Sequence, residues 1–227
     1  MSIAVSIIVL SLSLTVTALS ASGDNRNAVK TIASIPDTFE GSVFATINDL
    51  DFDVVARNTL MLLVGLVDGI DPEEAVDTIL HVWYSAMLRK DYLDKLELIK
   101  PLIEAVVAKI ADKPAHSMQR KTWTFVKDTL DLSLPKERWS DFLTYFNCPR
   151  ALTTESAIKI RRSVTLAAGR KNYRHRYLMK LKAADRVSTQ KFWDDGLLLP
   201  FGHDVNAYTE PNPYVVISRG EHQLYRR

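Results

Sequence analysis

Apolar and polar residues alternate strictly near the amino terminus: Leu10, Leu12, Leu14, Val16 and Ala18 are separated by Ser11, Ser13, Thr15 and Thr17. A period of two predicts a half-buried strand, whereas a helix would scatter the hydroxyls round its whole surface. A loop over residues 20–27 and a short helix ending before Pro36 follow. Val43, Ala45 and Ile47 repeat the alternation and predict a second strand over 42–47, stopped by the turn pair Asn48-Asp49. Residues 54–67 are an almost unbroken apolar run interrupted at Arg57 and Asn58, which predicts a helix buried on most of its circumference.

Asp71-Pro72-Glu73-Glu74 is a helix start, with a capping carboxylate, proline at the first position and two acids at the positive end of the dipole. Its apolar stripe is Val76, Ile79, Leu80, Trp83 and Met87. Leu93, Leu96, Ile99, Ile103, Val106 and Ile110 continue at helical spacing, with Pro101 expected to kink or restart the helix. Further helices are predicted at 117–131, at 135–146 (Trp139, Phe142, Leu143 and Phe146 on one face) and from Thr153 or Thr154 to about 168. Residues 196–202 form a turn-bounded apolar segment, Pro211-Asn212-Pro213 breaks the chain, and residues 214–217 read as a terminal strand or tail.

The 227 residues suit one domain, and 47% hydrophobic with 25% charged residues excludes collagenous, low-complexity or wholly disordered classes. One cysteine, Cys148, excludes a disulfide framework and a Cys-rich zinc module. The five histidines lack ligand spacing, so no metal is expected. The net charge of +2 is unevenly spread: residues 1–150 hold 15 Lys/Arg against 20 Asp/Glu, and residues 151–227 hold 14 against 7. The stretch 3–19 has three readings. It is a core strand; or a signal peptide, with Ala18 and Ser20 at the positions a peptidase reads but no basic n-region; or a membrane anchor, weakened by its four hydroxyl residues.

Taken in order, several segments resemble a fungal DUF4470-type domain of unknown function, a domain that often follows a MYND zinc finger and is related to the amino-terminal domain of a dynein axonemal assembly factor. They are Ser22-Gly23-Asp24 with Arg26-Asn27 and Lys30-Thr31, then Ile47-Asn48-Asp49, then Val55-Ala56-Arg57-Asn58. Leu80-His81-Val82-Trp83-Tyr84-Ser85-Ala86, Trp123, Trp139, residues 170–176 and 196–202, and Pro211-Asn212-Pro213 complete the set. A single cysteine cannot build the finger, and Asn172 stands where the family usually has an acid. The resemblance covers residues 21–213, leaving 1–20 as the apolar segment and 214–227 as a tail. It implies a Rossmann-like α/β core decorated with helices. It also implies a core strand leading into the Gly-Asp loop, which favours the strand reading of 1–20 over the signal peptide.

Four groups of residues are candidates for function. Gly23, Asp24, Arg26 and Asn27 lie between a predicted strand and helix, where Rossmann-like folds bind ligands, with Asn48 and Asp49 after the next strand. S-adenosylmethionine is the cofactor such a site would take, but one glycine falls short of a dinucleotide fingerprint, and helix capping is the plainer reading. Arg57 and Asn58 read as structural, with Asp49, Asp51 or Asp53 as partners for Arg57; His81, Trp83, Tyr84 and Gly202 also read as structural. Residues 159–191 carry eleven Lys/Arg against one acid, and Arg161, Arg162, Arg170, Tyr173, Arg174 and Arg176 form the candidate interaction surface. That charge could equally complement the acidic amino-terminal part within the same fold. No nucleophile–base pair is recognisable.

The expectation is therefore a helix-rich α/β domain with a small, mainly parallel Rossmann-like sheet near the amino terminus. Its expected function is non-catalytic: a cytoplasmic interaction, scaffold or assembly-factor-like domain whose partners are other proteins. The alternatives are an S-adenosylmethionine-dependent methyltransferase-like enzyme or pseudoenzyme, nucleic-acid binding through 159–191, and secretion if residues 1–20 are a signal peptide.

Overall fold

The computed structural model describes residues 3–9, 14–20, 25–36, 38–39, 42–126, 128–148, 152–200 and 202–214. The chain divides into two compact units, Met1–Ile70 with Glu97–Phe146 and Asp71–Leu96 with Asn147–Arg227.

The first unit is built on a five-stranded sheet of order β2-β3-β1-β6-β5. Its strands are β1 (Ile3–Val9), β2 (Leu14–Ser20), β3 (Ser42–Asp49), β5 (Met118–Thr124) and β6 (Asp128–Pro135). The expected mainly parallel sheet is not what forms. β1 pairs antiparallel with both β3 and β6, β5 pairs antiparallel with β6, and only β2 and β3 run parallel. The reason is connection length. Parallel neighbours need a crossover, which α1 (Arg26–Ala33) supplies between β2 and β3, whereas β5 and β6 are joined by a turn closed by Phe125 N–H donating to Asp128 O at 2.8 Å.

The helix expected at 117–131 is that antiparallel hairpin. Along β6 the side chains of Leu130, Leu132 and Leu134 are fully buried, each contributing roughly 1.5–3 kcal/mol. Asp131, also buried, accepts from Arg120 Nη2 and Thr122 Oγ1 on β5. α2 (Phe52–Leu66) packs on β1 and β3 and buries Val55, Ala56, Leu60, Leu63 and Val64. α5 (Lys136–Leu143) places Trp139 and Phe142 in the core, with the Trp139 indole N–H donating to Gln119 O.

α4 (Lys90–Lys109) runs unbroken through Pro101. A proline there deprives the carbonyl four residues earlier of its donor. That carbonyl belongs to Glu97, which like Pro101 lies on the exposed side of the helix, so its loss of an intrahelical donor falls where solvent can reach.

The second unit comprises α3 (Pro72–Tyr84), the start of α4, α6 (Thr154–Thr165), α7 (Lys171–Lys180), α8 (Ala183–Asp195) and the two-stranded pair of β4 (Met87–Leu88) with β7 (Glu210–Pro211). Ala86, Met87, Leu152, Ala157, Ile160 and Leu197 form its core, with Ile158, Leu199 and Tyr208 packed against them. Gly196 caps α8 at φ +72°; a Cβ there would sit 3.0 Å from Ala86 Cβ, so conformation and space both require glycine. Among the described residues no helix is long and apolar enough to cross a membrane.

Candidate interaction surface

α3 begins as its sequence dictates, with Asp71 Oδ1 accepting from the N–H groups of Glu73 (2.9 Å) and Glu74 (3.4 Å). Its inward face carries Ala75, Thr78, His81 and Val82, all buried. His81 Nδ1 lies 2.8 Å from Ser85 Oγ, and His81 Nε2 lies 3.2 Å from the Tyr208 hydroxyl and 3.7 Å from Asp77 Oδ1. Tyr92 stacks on the His81 ring at 5.1 Å and donates its hydroxyl to Asp77 Oδ2.

Asp77, His81 and Ser85 thus fall at i, i+4 and i+8 and imitate an acid–base–nucleophile array. Ser85 is fully buried and its hydroxyl oxygen already accepts from Leu198 N–H at 3.1 Å, so no substrate carbonyl can reach it. Burial pushes the His81 pKa down against the opposing pull of Asp77; burial also pushes Tyr92 up, aided by its bond to Asp77. The Arg89 guanidinium holds Asp91 down at about 2. This cluster is a clamp.

The clamp is completed by Asn212. Its Nδ2 donates toward the carbonyls of His81 (3.2 Å), Val82 (3.0 Å) and Ser85 (2.7 Å), satisfying the carboxyl end of α3, while its Oδ1 accepts from Tyr214 N–H.

The outward side of the unit is different. α7 and α8 bury no residue at all. Tyr173 and Tyr177 lie 6.4 Å apart with their planes 8° from parallel, and with Arg176 and Lys180 they line an open depression of about 310 Å³. A second depression of about 500 Å³ is lined by Leu178, Arg186, Val187, Gln190, Lys191, Asp194 and Asp195.

Only part of the expected basic surface is available for binding. Arg161 lies over the Phe192 ring at 5.3 Å, and Arg174 Nη1 donates to Thr165 O and Ala167 O, tying down the end of α6. Arg162, Arg170, Tyr173 and Arg176 are exposed. Tyr177 belongs with Tyr173 to the aromatic residues interleaved in the basic segment, whereas Lys180 was not singled out, although the offset i+7 from Tyr173 would have supplied it.

Gly23 and Asp24 lie outside the described residues. Arg26 and Asn27 are exposed in the first turn of α1. Asn48 is half-buried at the end of β3, and Asp49 Oδ1 accepts from Asp51 N–H, turning the chain toward α2. Asp51 in turn caps α2 through Asp53 N–H. Asn58 is fully buried with neither amide atom hydrogen-bonded among the described residues, and Arg57 is half-buried beside it in sequence. Trp83 and Tyr84 stack on each other at 5.5 Å. Gly202 occupies a turn at φ +86°. Among the described residues no group of three or more His, Cys, Asp or Glu is placed to hold a metal ion.

The strand, crossover helix and second strand β2–α1–β3, followed by α2, α3 and β4, is the stretch that comparison picks out. Residues 11–88 match the model of DUF4470, a domain of unknown function. No curated protein and no solved structure matches the chain significantly. The DUF4470 match ends at Leu88, so the basic helices and the segment carrying Tyr208 and Asn212 lie beyond it.

Proposed function

We infer that the chain is a non-catalytic protein-interaction domain of the scaffold or assembly-factor kind, and that it docks its partner on α7 and α8. The observation that carries this is their lack of any buried residue. Helices of ten and thirteen residues are marginal in water on their own, below or near the roughly 12–15 residues at which isolated helices begin to persist. These two also expose Tyr173, Tyr177, Met179 and Val187, an apolar display of the kind that marks an interface. A protein partner is favoured over nucleic acid because the larger depression mixes acids with bases, Asp194 and Asp195 beside Arg186 and Lys191, where a phosphate-binding surface relies on clustered Lys and Arg.

The test is in-cell cross-linking of the wild type against a Tyr173→Ala, Arg176→Glu, Tyr177→Ala variant. All three side chains are solvent-exposed, so the melting temperature should hold while cross-links to partner proteins are lost. Retention of the wild-type set of cross-links would sink the reading. A rise of several degrees in melting temperature with S-adenosylmethionine at about a hundredfold its Kd, worth about 2.7 kcal/mol, would move it to the methyltransferase-like class.

A further inference from the structure

Two outward faces of the second unit carry complementary patterns at identical spacing. Positions 73, 76, 77 and 80 share one side of α3 and read Glu, Val, Asp, Leu; Val76 and Leu80 are 57% and 40% exposed. Positions 173, 176, 177 and 180 share one side of α7 and read Tyr, Arg, Tyr, Lys; Tyr173 and Tyr177 are 65% and 43% exposed.

Laid antiparallel, Glu73 faces Lys180, Val76 faces Tyr177, Asp77 faces Arg176 and Leu80 faces Tyr173. Every acid meets a base and every aliphatic side chain meets an aromatic ring. Laid parallel, each charge meets an apolar group and the match disappears. Both faces are exposed in the same chain; Asp77 accepts from the Tyr92 hydroxyl within it but keeps about half of its side chain exposed, 51%, toward a partner.

We propose that the partner docked on α7 is a second copy of this chain, presenting its α3 face antiparallel to α7. The proposal rests on the interaction-domain reading and names the partner. The apolar pairs supply the buried centre, and the flanking ion pairs set direction and register, since like charges brought together at a wrong alignment disfavour it.

Sedimentation equilibrium of the full chain tests this, with circular dichroism to verify that each variant is folded. The wild type should rise above its 25.6 kDa monomer mass with concentration, more so at low salt. Glu73→Lys and Lys180→Glu should each weaken self-association at least about tenfold, because each sets like charges face to face. The chain carrying both changes should regain it, as should an equimolar mixture of the two single variants.

A monomer at every concentration, or a double variant as weak as the singles, would overturn the proposal. So would a monomer that binds a uridine 20-mer through Lys180, which would assign α7 to nucleic acid. A monomeric chain that still cross-links other proteins through α7 would refute the second copy and leave the interaction-domain reading standing. Loss of both would refute both.

Discussion

At the residue scale, His81 and Asn212 carry the clearest consequences. Burial holds His81 below its ordinary value near 6.5, with Asp77 and Asp91 opposing and Arg89 assisting. The unfolded chain therefore takes up the proton more readily than the folded one. Stability is full above pH 6.5 and is lost as the pH falls below it, until the folded chain is protonated too. The melting temperature should drop as the pH falls below about 6.5, and His81→Gln should flatten that part of the profile. Asn212→Ala leaves the Val82 and Ser85 carbonyls at the end of α3 without the amide donor, while His81 O keeps the Ser85 N–H. Urea unfolding should show a loss of roughly 2–4 kcal/mol, and Asn212→Asp, which cannot donate, should not rescue it.

At the element scale, helix starts set by capping residues and the strands β2 and β3 set by alternation were legible, and the β5–β6 hairpin was not. Asp71-Pro72-Glu73-Glu74 states a helix start in four residues, and α3 starts there. Asp71→Ala should cost about 1 kcal/mol in thermal or chemical unfolding. Thr153 opens α6 in the same way, through a reciprocal bond with Ser156. The β5–β6 hairpin was misread because Phe125-Val126-Lys127 offers no Gly, Asn or Pro as a turn signal, and because the Leu130, Leu132, Leu134 alternation begins inside the predicted helix. The resemblance implied a mainly parallel Rossmann-like sheet, and only the crossover unit β2–α1–β3 forms that way; its antiparallel neighbour β1 precedes it in the chain, and β6, which pairs antiparallel on the far side of β1, comes from residues about 80 positions after β3. The role of Asn212 had no local signal, since its partners lie about 130 residues away. At Gly196 the reverse holds: left-handed backbone and the nearby Ala86 Cβ together make Gly196→Ala cost more than the roughly 1 kcal/mol of a strained cap.

At the scale of the whole molecule, the DUF4470 match and the folding units do not coincide. The match stops at β4, whose strand partner β7 comes from residues 210–211, and it includes α3, whose final carbonyls are held by Asn212. A fragment ending at residue 88 should therefore show no cooperative unfolding of α3 by calorimetry, and truncation after residue 195 should have the same effect on the second unit. Cooperative melting of α3 in either fragment would show that the carboxyl-terminal segment is dispensable.

The distance between β4 and β7 also sets a schedule for synthesis. A ribosome adding roughly 5–20 residues per second needs on the order of 6–25 seconds to travel from Leu88 to Asn212. Throughout that interval α3 has been made with Tyr92 but without Tyr208 and Asn212, so the carbonyls at its carboxyl end lack the amide that holds them. A chaperone able to shield Val82, Met87 and Leu88 would be needed only within that window, and a stalled ribosome anywhere in it would present the same apolar surface indefinitely.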